Sequence, residues 1–157
     1  MKTLTTFATV SFIGLLIVSS TFAQTPTKTG GQNMSINRSK QVVLRLFNEV
    51  FNQRSLSVLD LLYDPNVVDH GAFPDQAPGV EGIKSAIIDF FEVFDNLKIT
   101  VEDVIAEDDK VATREVWRGT HKPSGKVAEG TIIHIFRLHE GKIIDEWSRG
   151  WDWLERL

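Results

Sequence analysis

Arg114-Glu115-Val116-Trp117-Arg118-Gly119-Thr120-His121, then Thr131-Ile132-Ile133-His134-Ile135-Phe136-Arg137-Leu138, then Lys142-Ile143-Ile144-Asp145-Glu146-Trp147-Ser148-Arg149-Gly150-Trp151-Asp152 decide the fold of this chain. Apolar and polar residues alternate along all three stretches, the period of half-buried strands. On the first, Val111, Thr113, Glu115 and Trp117 share one face, and Ala112, Arg114, Val116 and Arg118 the other. On the second, Ile132, His134, Phe136 and Leu138 share a face. A sheet built only for support does not need His, Trp and Asp among its apolar residues. A cupped sheet lining a small-molecule pocket does.

Working outward, turns fall at Glu107-Asp108-Asp109, Lys122-Pro123-Ser124-Gly125 and His139-Glu140-Gly141. They separate four strands, roughly 97–106, 111–121, 127–138 and 142–151. Consecutive strands joined by short turns form an antiparallel meander. Upstream, Val42, Val43, Leu46, Phe47, Val50 and Phe51 recur at helical spacing over 39–53. A shorter helix carries Val58, Leu59, Leu61 and Leu62, and Tyr63-Asp64-Pro65-Asn66 reads as the turn that ends it. Val67 to His70 reads as a short strand, and 71–79 as a loop holding Phe73, Pro74 and Pro78. A third helix places Ile83, Ile87, Phe90, Phe91 and Phe94 on one face. Helices first and sheet last is an α+β pattern: three N-terminal helices packed on a strongly curved antiparallel sheet that forms a conical cavity.

The N-terminus has a basic start, an apolar core from Phe7 to Val18 and small residues up to Ala23, the pattern of a signal peptide over residues 1–23. Its apolar run is shorter than the ~20 residues of a spanning helix, so no stable membrane insertion follows processing. A secreted or periplasmic location is expected. Residues 24–36, rich in Thr, Gly, Pro and Gln, read as a disordered linker, and 37–157 as one domain. With no Cys in the chain, thiol catalysis and Cys-ligated zinc are excluded. The net charge is −4 and no basic stripe is visible, which argues against a nucleic-acid partner.

Five motifs stand in order: Val68-Asp69-His70-Gly71, Pro78 to Lys84, Asp109 to Arg114, Trp117 to His121, and Gly141-Lys142-Ile143 with Glu146-Trp147. Together they resemble the SnoaL-like polyketide cyclase group, often called ester cyclases, whose fold is the nuclear-transport-factor-like α+β barrel. The resemblance implies an intramolecular aldol ring closure with no cofactor, a carboxylate near the last strand serving as general acid/base, and a homodimer packed through the outer sheet face. Asp152 is the position that matches this carboxylate. Strict alternation puts Asp152 opposite Trp147 and Trp151, and a bulge at Gly150 restores a shared face.

The candidate catalytic residues are therefore Asp152, His134 and His70. His134, on the face of Ile132 and Phe136, is placed to bond a developing enolate oxygen or to relay a proton. His70 follows Asp69 at a strand end beside a glycine loop. Asp69, Phe73, Trp117, Trp147 and Trp151 are candidate substrate-binding residues. Asp69, His70, His134 and Asp145 have no recognised metal-ligand spacing, so no metal is expected. Two functions follow: an acid/base catalyst on a small apolar carbonyl compound, or a non-catalytic binder of such a compound. A third, an interaction module working through its sheet face, would suit a filled cavity. Five strand residues, Ile99, Val101, Val111, Ile133 and Ile135, exceed what one core face needs and support the dimer expectation.

Overall fold

The computed structural model describes residues 29–157. The leader expected over Met1–Ala23 lies outside them. Helix α1 spans Thr29–Arg45 and continues as a π-helical segment, Leu46–Asn52. It starts ten residues before the apolar periodicity does, so the last eight residues of the expected linker are helical. The wider π turn turns Leu46, Phe47, Val50 and Phe51 inward together. Asn52 then ties the helix to the sheet: its side chain donates to the Ile99 carbonyl at 2.9 Å and accepts from the Ile99 amide at 2.8 Å. After a single 3₁₀ turn, α2 spans Leu59–Leu62.

Strand β1 runs over Tyr63–Asp69 and α3 over Gly79–Val93. Four long strands follow: β2 Phe94–Glu107, β3 Lys110–His121, β4 Val127–His139 and β5 Lys142–Arg149. A short 3₁₀ helix, Trp151–Arg156, closes the chain. The sheet order is β1-β5-β4-β3-β2. The meander β2 to β5 is antiparallel, as alternation predicts. β1 is different: it adds to the edge of β5 in parallel, pairing Val68 with Asp145 and Asp69 with Glu146. The sheet is thus mixed, and it is open rather than closed into a barrel. Tyr63 to Asn66, expected as a turn, opens this strand. Parallel pairing needs a crossover, and the whole of α3 through β4 supplies it.

Register shifts interrupt β2 between Asp95 and Lys98 and between Val101 and Asp103, and the β4–β5 pair between Arg137 and Leu138. Such bulges bend strands, and the bent sheet wraps the helices. The core lies in that concavity. Val43, Leu46, Phe47 and Val50 of the first helix meet Val111, Trp117, Ile132 and Phe136 of the sheet. Ile99 and Val111, counted above toward a surplus of apolar strand residues, are buried here, whereas Ile133 and Ile135 face outward at 51% and 39% exposure.

Candidate active site

Inward-facing residues of β3, β4 and β5, the π-helical turn, α3 and the β1–α3 loop enclose a cavity of about 70 Å³. Its walls are mostly aromatic: Phe47, Phe51, Phe90, Trp117, Phe136 and Trp151. Trp117 packs edge-on against Phe51 at 4.9 Å and against Trp151 at 5.2 Å. Into this apolar surround project His134, Glu146, Asp69, Tyr63, Gln76 and Ser148.

The register explains why these side chains meet. Thr113 of β3 stands opposite His134 of β4, and His134 stands opposite Ser148 of β5. Glu115 and Glu146 are each two residues along from those partners, on the same concave face. His134 Nδ1 lies 2.9 Å from Glu115 Oε2. With Glu115 as a carboxylate, which only accepts, this bond assigns the proton to Nδ1 and leaves Nε2 as the acceptor of the ring. Glu115 is wholly buried, and its second oxygen has no protein partner among the described residues. The Tyr63 hydroxyl donates to Glu146 Oε2 at 2.7 Å. Burial, helped by the negative charge of Asp69, pushes the Glu146 carboxyl up to about 7, against the opposing pull of the Tyr63 bond and His134. Burial beside Glu146 also holds the Tyr63 phenol well above its ordinary range. Asp69 accepts from the Gly71 amide at 2.8 Å and from Gln76 at 2.9 Å, which fixes the loop that carries Phe73.

Of the sequence-derived candidates, His134, Asp69, Phe73, Trp117 and Trp151 line this cavity. Asp152, His70 and Trp147 do not. Gly150 takes φ +111° and ends the strand, and the 3₁₀ turn that follows swings Trp151 inward and leaves Asp152 exposed. Alternation no longer applies past Gly150, so no bulge brings Asp152 back. His70 and Trp147 face the convex side of the sheet, where their rings stack at 4.5 Å. There His70 Nε2 meets Asp145 Oδ1 at 2.8 Å, and Arg137 pairs with the same carboxylate. Burial would push Asp145 up, but the bonds from His70 and Arg137 outweigh it and its pKa is lowered. Asp145 therefore holds two partners on the convex face, His70 and Arg137. Glu146, Tyr63 and Glu115 were not singled out from the sequence. Among the described residues no group of three or more His, Asp or Glu is placed to hold a metal ion.

A family model, SnoaL-like polyketide cyclase, matches residues 41–151, which spans the end of α1, the π-helical segment, α2, α3, the whole sheet and every cavity residue named above. The chain belongs to the SnoaL-like polyketide cyclase family.

Solved structures agree. IdmH from Streptomyces antibioticus, described as a candidate polyketide cyclase, is 28% identical, with a TM-score of 0.66 over 73% of this chain and 92% of that one. TsrD from Streptomyces laurentii (22% identity, TM-score 0.70, 76% of this chain and 93% of that one) shares the fold. So does AclR from Streptomyces galilaeus, described as a candidate hydroxylase (20% identity, TM-score 0.66, 78% and 98%). No curated protein matches the sequence significantly. The SnoaL-like fold hosts more than one chemistry, so the activity has to be argued from the residues in the cavity.

Proposed function

We propose that this SnoaL-like chain is a cofactor-independent acid/base catalyst that enolises a small apolar carbonyl compound and closes a ring through the resulting carbon nucleophile. One observation carries the reading: two buried groups held in different ways, His134 on Glu115 and Glu146 on Tyr63, converge in one aromatic-walled chamber. The raised carboxyl of Glu146 suits an acid, and the imidazole beside it suits a base. Glu115 fixes the tautomer that leaves His134 Nε2 as the base. It takes the proton as the C–H bond beside the carbonyl breaks. The electron pair moves onto the carbonyl oxygen, where the raised carboxyl of Glu146 donates a proton. As the enol carbon attacks a second carbonyl within the same molecule, the enol hydroxyl returns its proton to Glu146 and reforms the first carbonyl, and the new alkoxide takes up the proton held by His134. Atoms balance, and no oxidant or reductant is needed.

Deuterium incorporation from heavy water into butanone, followed by NMR, tests the first half of this reaction. His134→Asn and Glu146→Gln should each slow it by ~10²-fold, the scale of one general acid or base, while Asp152→Asn should leave it unchanged. Equal rates in wild type and both cavity variants would contradict the assignment.

Two further proposals concern the setting. Residues 1–23 act as an export leader, which places the domain outside the cytoplasm; N-terminal sequencing from the native host tests this, and a mature chain beginning at Met1 would refute it. The domain also works as a homodimer through the convex sheet face, a reading supported by the exposed Ile133, Ile135 and Val127.

A further inference from the structure

The catalytic chamber is too small for the molecule it is proposed to act on. About 70 Å³ admits a carbonyl group and a few attached carbons, whereas sites for whole small molecules run from ~300 Å³ upward. A second concavity lies against it. This groove, of about 560 Å³, runs between α3 and the β1–α3 loop and ends at Leu154. The two spaces meet at four residues that line both, Phe73, Gln76, Ala86 and Phe90. Phe73 and Phe90 lie 6.1 Å apart and both lie against Trp151, so three rings gather where the two spaces meet.

The groove has its own chemistry. Apart from the shared residues, its apolar side chains are Pro74, Ala77, Val93, Phe94 and Leu154. Val93 is a large apolar side chain left exposed at the end of α3, and Phe73 is another on the loop. The charged residues lining it are two acids, Asp75 and Asp89, and neither is neutralised by a basic side chain among the described residues. No Lys or Arg lines it to receive a carboxylate or a phosphate. Such a surface accepts an apolar body, neutral or cationic, and repels an anionic one.

We propose that the substrate is bound in two parts: a small enolisable carbonyl end in the inner chamber, and an apolar, uncharged or cationic remainder in the groove beside Asp75 and Asp89. This rests on the acid/base reading above and extends it to a substrate class. A carboxylate or phosphate on that remainder would meet Asp75 and Asp89 with no basic side chain in the groove lining to receive it.

Prodan, a neutral naphthyl ethyl ketone whose emission reports polarity, is a suitable probe. Its analogue with a carboxylate in place of the dimethylamino group is the anionic counterpart. Wild type should bind prodan with a blue-shifted emission and bind the carboxylate at least about fivefold more weakly. Ser85→Trp fills the groove from an exposed helix position and should weaken prodan binding about tenfold. Asp89→Lys should gain affinity for the carboxylate, a result that misfolding cannot mimic. Equal wild-type binding of the two probes, or prodan binding untouched by Ser85→Trp, would overturn the proposal. Butanone exchange reports on the chamber alone, so its absence in wild type would refute the catalytic reading and leave groove binding to be judged on prodan.

Discussion

Glu146 is the residue on which the site turns. Its carboxyl is enclosed and placed near Asp69, and these raise it to about 7 against the opposing bond from the buried Tyr63. A carboxyl whose folded pKa lies above its unfolded value binds more protons when folded. Stability is then highest below the unfolded value of 4.5 and declines as pH rises toward 7. A shift of that size corresponds to at most about 3 kcal/mol. Urea melts at pH 5 and pH 8 should show wild type losing stability across that interval and Glu146→Gln losing much less. A parallel decline in both proteins would mean that another group titrates. Asp145 works in the opposite direction: its lowered pKa contributes stability above its ordinary 3.8 that is lost as pH falls through the folded value.

How far the site was legible depended on whether alternation held. His134 and Trp117 were legible because β3 and β4 pair without a break from Lys110 to Thr120, so parity alone puts both on the concave face. Glu146 was hidden by the irregularity between Arg137 and Leu138: Ile143 points in, and so does Glu146, although their parities differ. Asp152 was misplaced because a left-handed Gly150 ends the strand. His70 was misplaced because Asp69, its neighbour on β1, already takes the inward position. The motif Asp145-Glu146-Trp147 did hold a usable signal, since one of two adjacent acids on a strand must face each side.

Two glycines fix the C-terminal element. A Cβ at Gly130 would sit 2.1 Å from the Trp153 ring, and one at Gly150 would sit 2.3 Å from the Thr131 carbonyl. The 3₁₀ turn is thereby pinned against β4, which is what holds Trp151 over the cavity. Gly130→Ala should lower stability by ~1–3 kcal/mol through overpacking. It should also loosen Trp151, seen as a red shift in tryptophan emission. An unchanged melt would show that Trp153 yields easily and that the turn is not fixed from this side. The helices were legible from periodicity, yet α1 begins well before its apolar stripe. β1 was legible only as a short strand, because parallel pairing to β5 depends on a partner about 80 residues away and leaves no local mark.

At the scale of the molecule, the proposed chemistry sits on the concave face, and the convex face is the one proposed to pair with a second copy. Ile133 and Ile135 are exposed beside Ala112 and Val116, flanked by the Arg118–Glu129 and Arg137–Asp145 pairs. Solution scattering at micromolar concentration should give the mass of a dimer, and Ile133→Glu should shift it to that of a monomer. A monomeric wild type would refute the dimer without bearing on the cavity. The overall class, helices ahead of a sheet with a pocket on its inner face, was legible from element order and alternation. The division into a small chamber and an outer groove was not, because it depends on where three aromatic rings from separate segments happen to meet.

The central claim is that Glu146 and His134 act together on a carbonyl compound in the chamber. It is tested most directly by the pH profile of butanone deuteration. With Glu146 as the donating acid, the wild-type rate should fall as pH rises through about 7, where that carboxyl ionises. In Glu146→Gln the rate should be low and that limb absent. A wild-type rate that stays flat through this range, or a limb that survives in Glu146→Gln, would contradict the account.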